Sequence, residues 1–306
     1  IITDEKKSSY NQCDSLLYHL KKKIKLKTEY MRIERGLIHN LPNIAIYTYL
    51  FVKSFFKTNK NEKADFIISC GRISAPYSLI LKKLNKKCKI FHILDPYCLR
   101  NRFDKILIPS HDFSKFSNNR NVLEFLGTFV SKRKLVNEDL KKYQELESRK
   151  NIIACLIGGD GKSSKLKVSE INDLVDKINQ ISERYTVVYC FSRRTSEITK
   201  RIIKKRKKLQ HYCYNYKDKD PYWYLINKSS HFIVTEDSVS MTSDAAFTGK
   251  PVYMVKIKNK KNKIKNFVQN LEEKGVVRYF DGEIVSWKYK KINESERIAN
   301  VIKKII

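Results

Sequence analysis

The chain has 306 residues, of which 42% are hydrophobic and 11% aromatic, and it carries a formal net charge of +31. This length and apolar content allow two domains of ordinary size and exclude wholesale disorder. The leading explanation of this charge is compositional drift, in which an AT-rich genome places Lys on solvated helix faces, and attraction to an anionic membrane surface is the second. Nucleic-acid binding ranks third, because the basic residues are mostly Lys, which lacks the bidentate contacts of Arg.

Short apolar runs alternate with amphipathic segments along the whole chain, which predicts strands alternating with helices. The predicted strands are 29–33, 66–70, 90–94, 105–108, 152–157, 186–190, 232–235 and 252–255. The predicted helices include 12–22, 76–84, 168–182, 195–204 and a final helix at 295–306. Nearly continuous apolar strands between helices indicate parallel sheets covered on both faces. The predicted fold class is therefore α/β with two Rossmann-like domains.

Two charged segments lack a strand pattern. Segment 137–151 is highly charged and precedes the strongest predicted strand, so we expect the domain boundary there. Segment 256–265 is basic and of low complexity, and we expect an exposed loop that leads into a helix.

Cysteine usage and hydropathy indicate where the protein works. Seven cysteines stand singly, without a CxxC pair or zinc-ligand spacing, which predicts no metal site and a reducing compartment. No segment reaches the roughly 20 apolar residues that span a bilayer, and no signal peptide is recognisable. We therefore expect a cytoplasmic protein that can sit peripherally on the inner face of a membrane through its basic surface.

The strand predicted to end at Thr235 is followed by the richest polar turn of the sequence. Its helix should begin near Asp237 or Ser238 and stop at Gly249. Ligands of parallel sheets bind at the carboxyl ends of strands, and helix N-termini attract phosphate. The turn therefore predicts a phosphate or diphosphate site. The alternative is that Asp237 or Ser238 only caps the helix.

Two further turns of the second half follow predicted strands. Gly158 and Gly159, with Lys162 and Ser163 close behind, form a glycine-rich turn that would let backbone approach a ligand. After the strand 186–190 come Ser192, Arg193 and Arg194, which could clamp an anion. The alternative for the glycine-rich turn is a simple tight turn, and the alternative for the arginines is surface ion pairing.

The first half offers polar residues at comparable positions. Gly71 and Arg72 follow one predicted strand, and Asp95 follows the next. His111 and Asp112 follow a third, so His111 is the candidate general base and Asp112 could orient it. The alternative is a structural histidine beside a capping aspartate.

Several of these motifs together resemble the mitochondrial-fission "elongated mitochondria" family, including its bacterial members. The resemblance is carried by the stretches 70–76 (CGRISAP), 93–112 (ILDPYCLRNRFDKILIPSHD), 156–166 (LIGGDGKSSKL), 220–226 (DPYWYLI) and 234–253 (VTEDSVSMTSDAAFTGKPVY). It implies a glycosyltransferase-B fold, with two Rossmann-like domains facing a cleft. The domains would span 1–145 and 146–290, and a helix at 291–306 would cross back to the first.

The same resemblance implies roles for individual residues. The donor would be a nucleotide-diphosphate sugar, bound without a metal or a resident cofactor, with Asp244 in the place of the ribose-binding acid. The expected donor site comprises Gly158, Gly159, Lys162, Ser163, Ser192, Arg193, Arg194, Thr235, Ser238, Val239, Ser240, Met241, Asp244 and Lys250. The expected catalytic residues are His111, Glu236 and Asp237, and the expected acceptor side comprises Gly71, Arg72, Asp95 and Asp112.

The function implied is transfer of a sugar to an envelope acceptor in a bacterium. The alternative is a non-catalytic adaptor at a membrane surface, because plant members of the family are implicated in recruiting a dynamin-like fission protein. A nucleic-acid binder ranks third, since only the charge supports it. One departure concerns the family's opening pattern TDGxxGxxxQ: Thr3, Asp4 and Gln12 are kept while both glycines are lost, which affects the expected acceptor loop.

Overall fold

The computed structural model describes residues 1–55, 64–116, 118–131, 133, 135–159, 164–215 and 220–306. The chain divides into two compact units. The first comprises Ile1–Ser131 with Asn293–Ile306, and the second comprises Lys132–Ile292. Each unit contains its own six-stranded parallel sheet.

The first unit contains strands β1 to β6 and helices α1 to α3. The strands are β1 (Ile2–Asp4), β2 (Met31–Ile33), β3 (Phe66–Cys70), β4 (Lys89–Ile93), β5 (Lys105–Pro109) and β6 (Val122–Phe125), in the sheet order β2-β1-β3-β4-β5-β6. The helices are α1 (Lys7–Lys21), α2 (Asn43–Phe55) and α3 (Ser74–Leu84). Alternate residues of β4 face opposite layers: Phe91 packs with Leu16 of α1, and Ile90 packs with Leu79 of α3.

The second unit continues with strands β7 to β14 and helices α4 to α10. The strands are β7 (Ile152–Ile157), β8 (Ser164–Lys165), β9 (Thr186–Phe191), β10 (Tyr212–Asn215), β11 (His231–Thr235), β12 (Val252–Val255), β13 (Asn259–Lys260) and β14 (Val277–Tyr279). The helices are α4 (Asn137–Lys142), α5 (Gln144–Glu147), α6 (Val168–Gln180), α7 (Glu197–Arg206), α8 (Tyr222–Lys228), α9 (Val239–Phe247) and α10 (Asn262–Glu273). The main sheet has the order β10-β9-β7-β11-β12-β14, and β8 pairs separately with β13.

The register of the second sheet brings three strand ends to one edge. Ile157 of β7 lies opposite Phe191 of β9, and Leu156 lies opposite Val234 of β11. All residues of these three strands are buried, which explains why their sequences are mainly apolar. The turns that follow them are therefore neighbours in space.

The last helix, α11 (Glu294–Ile305), belongs to the first unit. Its Ile298 and Ile302 are buried in the same cluster as Leu16 of α1. Ser295 adds a pair of hydrogen bonds to Val130: its hydroxyl oxygen accepts from the Val130 N–H at 2.8 Å and donates to the Val130 carbonyl oxygen at 2.8 Å. This helix is thus fixed to the first unit by both packing and backbone contacts.

The predicted α/β class with parallel sheets is confirmed, while several element predictions need correction. Segment 137–151, where we expected the domain boundary, has no strand; it forms α4 and α5 and buries Tyr143 and Leu146. Segment 256–265 leads into α10 as expected, but it also contains β13, and its Ile257 and Ile264 are buried rather than exposed. The strands β1, β6, β10 and β14 have only three or four residues, which is too short for a clear periodic pattern. Among the described residues no helix is both long and apolar enough to cross a membrane.

Candidate functional site

A hydrogen-bonded turn joins the ends of β7 and β11. The Gly158 N–H donates to Thr235 Oγ1 at 2.7 Å, and the Thr235 hydroxyl donates to Asp237 Oδ1 at 2.7 Å. The Gly159 N–H donates to Asp237 Oδ2 at 3.1 Å. A Cβ on Gly158 would lie 1.9 Å from Asp237 Oδ1, so a larger residue does not fit without moving this carboxylate. The glycines therefore allow the turn to pack closely on Asp237.

The turn after β9 is linked to the same carboxylate. The Arg194 guanidinium donates to Asp237 Oδ2 at 2.8 Å. The Arg194 side chain is 43% exposed, whereas the Asp237 side chain is 1% exposed. Beneath this pair, the Thr195 hydroxyl is directed at the carbonyl oxygens of Ile157 (2.8 Å) and Gly158 (2.6 Å). Three neighbouring turns are thus held together around Asp237.

The start of α9 completes this edge of the sheet. Ser238 is the N-cap of α9, and its Oγ accepts from the Met241 N–H at 3.3 Å. Val239 is half-buried, Ser240 is exposed, and Met241 is buried. The capping explanation therefore holds for the Ser238 side chain, while the Ser240 hydroxyl and the helix terminus face solvent. Such a terminus favours a negatively charged ligand.

Basic side chains at this edge outnumber the accessible acids. Arg193 is exposed, and within the described part of the chain it has no ion pair or side-chain hydrogen bond. Ser192 Oγ accepts from the Arg194 N–H at 3.2 Å, which fixes the turn that carries both arginines. Because Arg194 neutralises the buried Asp237, the exposed Arg193 supplies the uncompensated positive charge. The arrangement can receive an anion.

The two adjacent carboxylates predicted to be catalytic are both engaged in structural contacts. Glu236 Oε1 accepts from the Tyr279 hydroxyl at 2.7 Å, and Oε2 accepts from the Ile257 N–H at 3.1 Å. Burial and the neighbouring Glu236 charge raise the pKa of Tyr279. Asp237 accepts hydrogen bonds from the glycine-rich turn and from Arg194. Their catalytic roles stay predictions, and the geometry gives both a framework role.

Asp244 lies on α9 beside a residue that the sequence analysis did not identify. Its Oδ2 accepts from the Tyr222 hydroxyl at 2.6 Å. Burial raises the pKa of Asp244 from 3.8 to about 7, against the opposing effects of the Tyr222 hydrogen bond and the Arg133 charge. Tyr222 stands at the start of α8, within the motif 220–226, which was the only sequence signal for it.

This pKa shift predicts a pH-dependent stability. The folded Asp244 keeps its proton up to about pH 7, whereas the unfolded chain loses it near pH 3.8, so the folded form loses stability as the pH rises between these values. The largest slope is about 1.4 kcal/mol per pH unit. We expect wild type to lose free energy of unfolding relative to Asp244→Asn between pH 5 and pH 8, as measured by urea denaturation. Parallel pH profiles for the two proteins would contradict the shift.

Lys250, one of the expected donor residues, contacts a different part of the second unit. The Lys250 ammonium donates to the carbonyl oxygens of Asn227 (2.9 Å) and Ser229, so it caps the C-terminal end of α8. Burial lowers the pKa of Lys250. This geometry commits Lys250 to α8 rather than to the glycine-rich turn. Lys162 and Ser163 lie outside the described residues.

A cavity of about 370 Å³ opens at the same edge of the sheet, after β12. Its lining combines apolar and charged side chains, among them Glu170, Lys177, Val255, Lys258 and Phe280. The Lys258 N–H donates to Glu170 Oε1 at 2.8 Å, which ties the rim of the cavity to α6. Mixed apolar and polar linings are typical of small-molecule sites.

The first unit places Gly71, Arg72 and Asp95 after β3 and β4. Gly71 has φ +90°, and a Cβ there would lie 3.3 Å from Asp4 Oδ2, at the end of β1. The Arg72 guanidinium donates to the carbonyl oxygen of Leu41 at 2.9 Å. Asp95 accepts two hydrogen bonds from Arg100, at 2.8 and 3.1 Å. Arg72 and Asp95 therefore stabilise local loops.

His111 and Asp112 follow β5 at the same edge of the first sheet. The His111 side chain is 7% exposed, and its Nε2 lies 3.8 Å from Asp112 Oδ2, which is beyond hydrogen-bond distance. Asp112 could orient the imidazole only after a small movement. Across the described ranges of both units, no group of three His, Cys, Asp or Glu side chains could hold a metal ion.

Two known proteins are similar to this chain in sequence. Over 346 aligned positions the chain is 27% identical to the uncharacterized protein RP120 of Rickettsia prowazekii (strain Madrid E), with 99% of this chain and 97% of that protein covered. It is 26% identical over 270 positions to the mitochondrial fission protein ELM1 of Arabidopsis thaliana, which covers 78% of this chain and 63% of the plant protein.

The S. aureus MnaA–UDP structure superimposes with a TM-score of 0.50 at 15% identity, covering 99% of this chain and 96% of that one. This likeness confirms the predicted glycosyltransferase-B type of fold. The family resemblance is confirmed as well, because the sequence profile described as "Mitochondrial fission ELM1" matches residues 9–306. The chain belongs to the mitochondrial fission ELM1 family.

Proposed function

We propose that the second unit binds a nucleotide-diphosphate sugar at the carboxyl edge of β7, β9 and β11. The observation that carries this proposal is the buried Asp237, which fixes the glycine-rich turn and Arg194 beside the start of α9. A diphosphate needs positive charge and backbone N–H donors that do not have to reorganise on binding. Arg193 and Arg194 supply the positive charge. The N–H donors are those at the start of α9, since the Gly158 and Gly159 N–H groups are already hydrogen-bonded within the protein.

Individual residues would take distinct parts of the donor. Arg193, Arg194 and the N-terminus of α9 would contact the diphosphate, and Ser240 would add a hydroxyl. Asp244 would accept hydrogen bonds from the ribose in its ionised form, so donor affinity would rise with pH around neutrality. The S. aureus MnaA–UDP structure, of similar fold, gives independent support for a uridine nucleotide.

The reaction proposed for such a donor is sugar transfer to an envelope acceptor in a bacterium. The acceptor oxygen would bond to the anomeric carbon while the bond from that carbon to the diphosphate breaks, and the diphosphate would leave with the negative charge. His111 is the candidate base for the acceptor proton, and Gly71 and Asp95 mark the same edge of the first sheet. Interactions with the leaving diphosphate would supply most of the rate enhancement.

A second candidate is an adaptor that binds the nucleotide sugar without turnover. It is favoured by one observation: each carboxylate oxygen of Glu236 and Asp237 already accepts a hydrogen bond. A carboxylate in such contacts is a poor general base, because proton uptake would break the framework. Fold alone does not decide between the two candidates.

Calorimetric titration with UDP, UDP-N-acetylglucosamine, GDP and ADP tests the binding proposal. We expect one nucleotide class to bind, and to raise the free energy of unfolding by roughly 2.7 kcal/mol at a hundred times its Kd. Arg193→Gln should weaken binding about tenfold by removing one charge-assisted contact. Arg201→Gln, which removes an exposed arginine from α7, is the matched control and should leave Kd unchanged. Absence of binding by any nucleotide would refute the proposal.

Release of free nucleotide from the bound sugar donor separates transferase from adaptor. A transferase should release nucleotide slowly even with water as acceptor, and faster with an envelope lipid fraction. His111→Gln should slow that release without changing donor Kd. Tight binding with no release under either condition would establish the adaptor.

A further inference from the structure

The outward face of α2 is apolar. Its inward face packs on the body of the first unit, where Ile46 is fully buried and Tyr47 contacts the cluster that includes Leu79 of α3. On the opposite face, Ile44, Tyr49 and Val52 are 49%, 50% and 52% exposed. Thr48 lies between Ile44 and Val52 on this face, and Lys53 stands at its edge beside the Tyr49 ring. The face is nevertheless mostly apolar, although solvent-facing helix surfaces are normally charged or polar.

The apolar surface extends beyond α2. Leu37 and Leu41, in the preceding loop, are 91% and 48% exposed. At the other end, Leu84 closes α3 with 58% of its surface exposed. Together with Ile44, Tyr49 and Val52 these side chains define what we call the α2 surface. Exposed apolar side chains grouped on neighbouring elements in this way mark interaction sites.

Contacts at both ends show that α2 and α3 run side by side. The Asn43 amide, at the start of α2, donates to the Arg72 carbonyl oxygen at 2.6 Å, just before α3. Near the other end, Lys83 Nζ lies 3.1 Å from the centre of the Phe51 ring. The C-terminal turn of α3 and its lysines therefore border the α2 surface.

The border of the α2 surface is predominantly basic, and the acid nearest to α3, Asp104, is already paired with Lys82. Sequence segments 35–55 and 66–94, which contain α2, α3 and their flanks, include no Asp or Glu. Lys53, Lys83, Lys86 and Lys87 are exposed. Aliphatic side chains bordered by lysines match a bilayer that has anionic headgroups over an apolar interior. Single-stranded nucleic acid would instead select stacked aromatic platforms.

We propose that the α2 surface docks the first unit on an anionic lipid bilayer. Leu41, Ile44 and Val52 enter the boundary between headgroups and acyl chains, and the Tyr49 hydroxyl stays at the polar level. The bordering lysines contact lipid phosphates. With 13 residues, α2 is about 20 Å long, so it lies in the interface rather than spanning the bilayer.

Vesicle flotation tests the apolar part of this proposal. We expect the full chain to float with phosphatidylcholine vesicles that contain phosphatidylglycerol. With vesicles of pure phosphatidylcholine it should remain in the bottom fraction of the gradient. The double variant Ile44→Gln with Val52→Gln should lower the partition coefficient about tenfold, through loss of buried aliphatic surface. The matched control is Ile198→Gln with Leu209→Gln, which alters side chains that are 62% and 99% exposed in the second unit. It should float like wild type.

The basic part is tested with charge-matched variants. Lys86→Gln with Lys87→Gln should lower partitioning about tenfold at low salt, whereas Lys204→Gln with Lys205→Gln on α7 should change it less than about twofold. Equal losses in both pairs would mean diffuse charge attraction and overturn the proposal. So would wild-type binding that is unaffected by Ile44→Gln with Val52→Gln.

Folding controls and two binding measurements complete the test of the α2 surface. Circular dichroism and Tm should be unchanged in every variant, which excludes unfolding as the cause of lost flotation. We expect wild type to sediment without self-association through the α2 surface. If it did self-associate, and Ile44→Gln with Val52→Gln abolished that association, the occupant would be a second copy of the chain. RNA binding that the apolar variants also lose would likewise overturn the bilayer assignment.

Discussion

Replacing Asp237 with Ala is expected to lower the free energy of unfolding of the second unit by about 3 kcal/mol and to abolish nucleotide binding. The substitution removes the acceptor of three hydrogen bonds, those from Gly159, Thr235 and Arg194. The Gly159 N–H would then be buried without a partner, and Arg194 would lose the carboxylate that orients it. Stability and binding should therefore fall together.

Guanidinium denaturation followed by tryptophan fluorescence measures this loss, because Trp223 and Trp287 both belong to the second unit. Asp237→Asn should cost less, since an amide oxygen can still accept from Gly159 and Arg194. Asp173→Ala is the matched control: its side chain is 64% exposed, and among the described residues its carboxylate pairs only with Lys177 of the next helical turn. It should change stability by less than about 0.5 kcal/mol. If the Asp237→Ala protein bound nucleotide with the wild-type Kd, Asp237 would not be needed to form the donor site.

The sheets could be predicted from the sequence because their signal is local. Each of β7, β9 and β11 contains an apolar run of three to six residues, and parallel strands of this kind bring their following turns to one edge. That rule alone identified the regions of Gly158, Ser192 and Thr235. The strands β1, β6, β10 and β14 escaped prediction because three or four residues carry too little periodic signal, unless they stand in an apolar run such as that of β12.

The side-chain partnerships could not be predicted, because they join residues that are far apart in sequence. Glu236 and Asp237 are neighbours, yet one is hydrogen-bonded to Tyr279 and the other to Arg194, 43 positions away in each direction. Glycines at 158 and 159 suggested close approach of a ligand, whereas they permit close approach of Asp237 and Arg194. Lys250 similarly suggested a phosphate contact, and its ammonium instead caps α8. Sequence patterns indicate where a backbone turns, and only the fold decides which atoms meet there.

Replacing Gly159 with Ala is expected to destabilise the second unit by roughly 2–4 kcal/mol and to abolish nucleotide binding. The added Cβ would lie 1.9 Å from the Arg194 carbonyl oxygen and 2.7 Å from the Thr195 nitrogen. Both atoms belong to backbone that the Thr195 hydroxyl ties to β7, so they cannot move aside cheaply. The turn after β9 would have to separate from the glycine-rich turn, and Arg194 would move with it.

Gly275→Ala supplies the contrasting control, measured by the same denaturation and titration. Gly275 has φ +64° and no atom within 4 Å of an added Cβ, so its substitution tests conformational strain without a steric clash. That strain should cost about 1 kcal/mol and leave nucleotide affinity unchanged. If Gly159→Ala lost no more stability than Gly275→Ala, the turns after β7 and β9 would be free to separate. The anion site proposed between them would then lack the fixed geometry on which it depends.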